Sequence, residues 1–175
     1  MRTKTWLLAA VFLGTATAPA LAQGRHDGFW IGFGLGYGRT GGDNSLGGGG
    51  AYLRAGGTPT NMLLVGGEAI AWAKTENDAT VSQGNFTANI LFYPSLNGGF
   101  FLKTGLGFAS ASSSFTLGNT TTTTTDNGFG TTLGAGYDLK LGRNLYLTPN
   151  VDALVQVINK NTETVFLFTL GLTWH

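Results

Sequence analysis

The chain has 175 residues, 42% of them hydrophobic and only 11% charged, with a formal net charge of +1. That length suits one domain, and soluble domains usually carry about 25% charged residues. There is no cysteine, which excludes disulfides, thiolate metal sites and cysteine nucleophiles. No Lys/Arg-rich run occurs, so nucleic-acid binding lacks an electrostatic footprint. Gly is frequent (29 residues), Thr, Ser and Asn are abundant, and Ala/Glu/Lys/Leu blocks are missing, a composition that points to an all-β chain.

The N-terminus has the layout of a secretion signal. Arg2 and Lys4 precede an apolar run from Trp6 to Leu13, and Ala20-Leu21-Ala22 forms an A-x-A cleavage site before Gln23. The run falls short of the ~20 residues a membrane-spanning helix needs. Residues 1–22 are therefore expected to be removed, leaving 23–175 as the mature domain. Loss of Arg2 and Lys4 takes the net charge from +1 to −1.

The mature chain repeats one pattern, about ten residues alternating apolar with small or polar and then a turn. This is the signature of a transmembrane barrel. The first predicted strand, 28–39, puts Phe29, Ile31, Phe33, Leu35 and Tyr37 on one face and Gly32, Gly34, Gly36 and Gly38 on the other. The second covers 48–57, then a tight turn at 58–61 leads to the third, 62–73. A polar loop at 74–82 precedes the fourth, 83–93, with Phe86, Ala88, Ile90 and Phe92 outward. The fifth covers 99–110, and the longest loop, 111–127, holds a threonine run from Thr120 to Thr125 that reads as flexible. The sixth covers 128–141, the seventh 145–157 and the eighth 163–174. Leu141 is expected opposite Leu145 across a three-residue turn. Pro149 removes a ladder donor in mid-strand, which predicts a bulge.

Eight is an even count, and short turns alternate with mostly longer loops, as in barrels with periplasmic turns and extracellular loops. The non-apolar face carries Gly, Thr, Ser and Asn where a soluble exterior would show Lys and Glu. That confines it to the lumen of a small barrel and disfavours a soluble lipocalin-like barrel. The fold class expected is an eight-stranded antiparallel up-and-down transmembrane β-barrel.

Six charged residues share the inward parity: Arg54, Glu68, Lys103, Asp138, Lys140 and Asp152. They are expected to pair and plug the lumen, since an unpaired charge there costs several kcal/mol, with one or two of them solvated near a rim. A register placing Gly57 opposite Leu63 sets Arg54 one diagonal step from Glu68. Phe29, Trp30, Tyr37, Trp72, Phe92, Tyr93, Phe100, Phe108 and Trp174 fall near strand ends, where aromatic girdles form, although Trp30, Trp72 and Tyr93 have the inward parity.

Residues 98–109 (GGFFLKTGLGFA), 144–154 (NLYLTPNVDAL) and 167–175 (LFTLGLTWH) resemble the outer-membrane β-barrel domain family, the OmpA/OmpX-type and opacity-type small barrels. The resemblance implies insertion from the periplasm by the assembly machinery, using a C-terminal signal of alternating hydrophobics. Here these are Phe166, Phe168, Leu170, Leu172 and Trp174, the final aromatic displaced one position by His175. It also implies an outer-membrane location among lipid and lipopolysaccharide, as a monomer; no fused periplasmic domain is expected, because the chain stops at the last predicted strand.

Catalytic and cofactor motifs are not met. The Gly32-x-Gly34-x-Gly36-x-Gly38 spacing is one strand face and not a dinucleotide loop. Small barrels that are lipid A deacylases use a His/Ser/acid set at the extracellular rim, whereas His26 and His175 are both expected at the periplasmic end, His175 as a solvated terminus. Asp43, Glu76, Asp78 and Asp126 match no metal loop and are expected to be solvated loop charges. No cofactor or metal is implied. The function expected is a structural or surface-interaction role through the extracellular loops. A narrow pore is the alternative, and a lipid-modifying enzyme a more distant one.

Overall fold

The structure, a computed structural model, describes residues 28–42, 45–117 and 120–175. The expected leader with Ala20 and Ala22, and also His26 and Asp43, lie outside the described residues.

Eight antiparallel strands run up and down: β1 (Phe29–Thr40), β2 (Gly47–Thr60), β3 (Leu63–Glu76), β4 (Ala79–Phe92), β5 (Phe100–Leu117), β6 (Thr120–Tyr137, continued by Leu139–Lys140), β7 (Leu145–Ile158) and β8 (Asn161–Trp174). Neighbours in sequence pair with one another, and β1 pairs β8, so the sheet closes on itself. Closure leaves the barrel wall without an edge.

Alternation along each strand sets the faces. On β5, Leu102, Leu106 and Phe108 point out and are exposed, whereas Phe101 and Lys103 point in and are buried. Leu35 is 72% exposed and Phe108 75%. Water would penalise so continuous an apolar exterior, and hydrocarbon would not. Phe29, Phe92, Phe100 and Trp174 rim the end where the described chain begins and ends, while Tyr37, Phe108, Phe129 and Phe168 rim the hairpin end. From Phe100 to Phe108 the strand advances about 26 Å, or ~20 Å of height at a tilt of ~40°, comparable with the roughly 25 Å apolar band of such barrels. Trp30, Trp72 and Tyr93 are buried inside the barrel and take no part in the girdles.

Several sequence expectations are corrected. The polar loop at 74–82 is mostly strand, because β3 and β4 pair up to Glu76↔Ala79 around a two-residue turn. Asn77 and Asp78 both have positive φ there, as do Asn159 and Lys160 in the β7–β8 turn, the backbone that a tight twisted hairpin requires. The loop at 111–127 is likewise strand, with β5 and β6 paired up to Leu117↔Thr120. Threonine's β-branch favours that extended backbone. Between β2 and β3 one extra β2 residue is accommodated near Thr58 and Pro59. Gly57 therefore faces Val65, not Leu63, and Arg54 lies directly opposite Glu68.

No bulge forms at Pro149. Pairing of β6 with β7 stops at Gly136↔Asn150 and resumes at Leu139↔Leu147 in the same register. The missing Pro149 N–H interrupts the ladder without shifting it. The backbone N–H of Leu141 donates to Leu145 O at 2.9 Å, as the expected three-residue turn requires.

Placing an arginine at Leu35, in the middle of the β1 outer face, is expected to lower folding stability in phospholipid vesicles by about 2–4 kcal/mol. Urea titration of Leu35→Arg against the unmodified chain measures it.

Candidate functional site: the filled lumen and the projecting hairpins

Inward glycines make room for large partners. A Cβ on Gly34 would lie 2.5 Å from the Tyr52 ring, and one on Gly130 would lie 2.9 Å from the Asn85 amide. The lumen is consequently packed in layers. Trp30, Leu64, Leu91, Tyr93 and Phe101 fill the turn end, and Tyr52, Ile70, Trp72, Leu154, Val165 and Leu167 fill the hairpin half.

Between these apolar layers sits the charged one. Lys103 Nζ donates to both Glu68 carboxylate oxygens at 2.7 Å and lies 2.8 Å from Asp152 Oδ1. All three side chains are sealed from solvent. Asn89 donates to Glu68 at 3.2 Å. Among the described residues Arg54 takes no carboxylate, although Glu68 is its cross-strand neighbour. Its guanidinium packs against the rings of Tyr52 (4.7 Å) and Phe101 (5.2 Å), and Nη1 donates to Asn150 Oδ1 at 3.4 Å. One lysine thus bridges two carboxylates from β3 and β7, tying three strands together across the interior.

Asp138 belongs to a second cluster near the turn end. It accepts from Tyr93 OH at 2.7 Å and from Thr148 Oγ1 at 2.8 Å, and His175 Nε2 lies 3.4 Å away. His175, expected to be solvated, is buried and packs edge-on to Tyr146. Lys140 is corrected in the opposite direction. It lies on the short run beyond the Pro149 interruption and is exposed at the rim, outside the lumen. The buried charge set is therefore Arg54, Lys103, Glu68, Asp138 and Asp152, with His175 beside it. Sequence parity overlooked His175 because it follows the last strand.

At the hairpin end the mouth is closed by amides. Gln83 donates to Glu163 across the barrel, Gln156 donates to Gly84 O at 2.9 Å and to Asn85 Oδ1 at 2.8 Å, and Asn85 donates to Thr131 O at 3.0 Å. Above this lid β5 and β6 project, stitched by hydroxyl pairs Ser112–Thr125, Ser114–Thr123 and Thr116–Thr121 at 2.9–3.1 Å. Glu76 and Asp78 on the β3–β4 hairpin and Asp126 on β6 are exposed, Glu76 lying 3.6 Å from Lys74. Among the described residues no group of three or more acidic or histidine side chains is placed to hold a metal. Phe166, Phe168, Leu170 and Trp174 line the outer face of β8, with Leu172 half-buried between them.

This geometry has solved counterparts. Ail, the attachment invasion locus protein of Yersinia pestis, superposes with a TM-score of 0.62 at 13% identity, over 85% of this chain and 100% of that one. Neisserial surface protein A superposes with a TM-score of 0.60 at 15% identity, over 83% of this chain and 96% of that one. The fold is that of a small outer-membrane barrel. No family model and no curated protein matches the sequence.

Replacing Lys103 by methionine leaves two buried carboxylates without their cation, which is expected to cost about 3–5 kcal/mol. Lys140→Met, at the exposed rim, is expected to change stability by less than about 0.5 kcal/mol. Thermal midpoints read from gel mobility shifts of the folded barrel compare the two.

Proposed function

We propose that this chain is an integral outer-membrane barrel without enzymatic activity, whose sealed body holds the β3–β4 and β5–β6 hairpins in place for interactions at the cell surface. The observation that carries this reading is the division of the molecule at the level of Phe108. Below it the lumen is filled, with the Lys103 ion cluster between two apolar layers. Above it β5 and β6 continue as paired strand, β5 half-buried as far as Ser112 and both largely exposed beyond it, up to Leu117 and Thr120. A surface that serves only as anchor has no need of so long an ordered projection.

The apolar belt fits lipid on its outer side, with lipopolysaccharide beside the hairpins, and the alternating β8 face ending at Trp174 fits recognition by the assembly machinery. Monomeric insertion accords with a barrel that closes by itself. The attachment role printed in the name of Ail supports a surface role by fold analogy. Ail has also been solved with a heparin analogue. Anionic glycans are not favoured for this chain, because the hairpin end presents Arg39, Lys74 and Lys160 against Glu76, Asp78, Asp126 and Glu163 among the described residues.

Two measurements test the proposal together. In planar bilayers the purified chain is expected to give no stable single-channel steps. Cells displaying a chain trimmed of residues 111–126 are expected to adhere less to epithelial monolayers than cells displaying the full chain. Stable ion-selective openings with unchanged adhesion would support the pore reading and sink this one.

A further inference from the structure

The two ends of the barrel carry their exposed charges differently. At the short-turn end, which faces the periplasm in barrels of this kind, the turns at 58–62 and 93–99 hold no charged residue. Among the described residues the exposed charges of that end are Lys140 and Arg143, both positive and both at the β6–β7 turn. Asp138 and His175, the other acid and base there, are buried. The hairpin end instead mixes Arg39, Lys74 and Lys160 with Glu76, Asp78, Asp126 and Glu163.

Hydrogen bonds fix the height of the β6–β7 turn. Leu141 N donates to Leu145 O at 2.9 Å, Leu145 pairs with Trp174 on β8, and His175 N donates to Asn144 O at 3.0 Å. Leu141, Leu145 and Trp174 therefore form one row across three adjacent strands, and all three are exposed on the outer wall. An exposed tryptophan at a strand end marks the boundary between hydrocarbon and headgroups. Leu139, one pair further into the wall opposite Leu147, is exposed to the same lipid. Lys140 and Arg143 flank this boundary row in sequence, and their long stems carry the charged heads to the level of the lipid phosphates.

That combination selects among anions. A small soluble anion would use the cations and leave the leucines without a role. A carboxylate of the cell wall would lie beyond the headgroups, away from Leu141 and Leu145. An anionic phospholipid meets both halves at once, with phosphate for the cations and acyl chains for the leucines.

We propose that the β6–β7 turn is a binding site for anionic phospholipid of the periplasmic leaflet, its phosphate engaged by Lys140 and Arg143 and its acyl chains lying against Leu139, Leu141 and Leu145. The site is at the opposite end of the barrel from the projecting hairpins and stands whether or not they bind a partner.

The test uses the tryptophan already in the row. The folded full chain is placed in symmetric phosphatidylcholine vesicles with a minor fraction of phosphatidylglycerol brominated on its acyl chains. Trp30 and Trp72 are buried in the lumen, and subtracting the fluorescence of Trp174→Phe isolates Trp174. Quenching is compared with that from the same fraction of brominated phosphatidylcholine. Phosphatidylglycerol is expected to be enriched around Trp174 about fivefold over its bulk ratio. Arg143→Gln is expected to lower the enrichment about twofold, and Lys140→Gln combined with Arg143→Gln to abolish it, while the heat-modifiable fold persists. Lys160→Gln, at the hairpin end, is expected to leave it unchanged. The proposal is overturned if the two brominated lipids quench Trp174 equally, if the double variant keeps the excess, or if Lys160→Gln removes it. Retention on purified peptidoglycan that depends on Lys140 and Arg143, without lipid enrichment, would also overturn it and assign the pair to the cell wall.

Discussion

Hydrocarbon offers no hydrogen bonds, so a sheet that crosses it must satisfy every backbone N–H and C=O from within. The pairing of β1 with β8 meets that demand, and the rest of the molecule follows from it. Closing eight strands leaves a narrow interior. Period-2 alternation then commits one residue in two to that interior, and large side chains fit only where glycine stands opposite, as Gly34 does for Tyr52. The same alternation commits the other half to lipid, which is why Leu35 and Phe108 are as exposed as they are.

Filling so narrow a space with apolar groups alone would leave nothing to pin one register against another. The Lys103 cluster does that by joining β5 to β3 and β7 at 2.7–2.8 Å. Burying three charges is costly, and the pairing offsets that cost only when the geometry is good. Two neighbouring apolar layers keep water out, and the Gln83, Asn85 and Gln156 amides cap the hairpin side. The result is a lumen with little room for solute, below hairpins that project beyond it. Where β7 stops at Ile158 and β6 does not, the constraint that closed the barrel lapses, and an edge is left in water.

Much of this was legible in the residues. Strand number, the lipid-facing parity and the Leu141–Leu145 turn follow from alternation and turn length alone. The errors have physical causes. A two-residue register slip preserves both faces, so parity could not detect that Gly57 meets Val65, and Pro59 was the sole hint of the extra residue. Polar stretches such as Thr120 to Thr125 read as loops because strands outside lipid lose the apolar half of their pattern. Lys140 kept the inward parity, yet the strand carrying it runs past the barrel's rim. His175 was missed because nothing periodic marks a residue after the final strand. Function was least legible, since the projecting hairpins carry no side-chain motif that names a partner.

The central claim is that the wall from Phe100 to Phe108 alternates between lipid and a sealed lumen, and that β5 then leaves the membrane as strand. The absence of native cysteine allows single cysteines at successive β5 positions from 100 to 117 to be spin-labelled in vesicles. Oxygen accessibility is expected to peak at Leu102, Leu106 and Phe108 and to fall at Phe101, Lys103 and Gly105. Accessibility to a water-soluble nickel reagent should rise on both faces beyond Ser110. Loss of the two-residue period, or lipid exposure at position 103, would contradict the account.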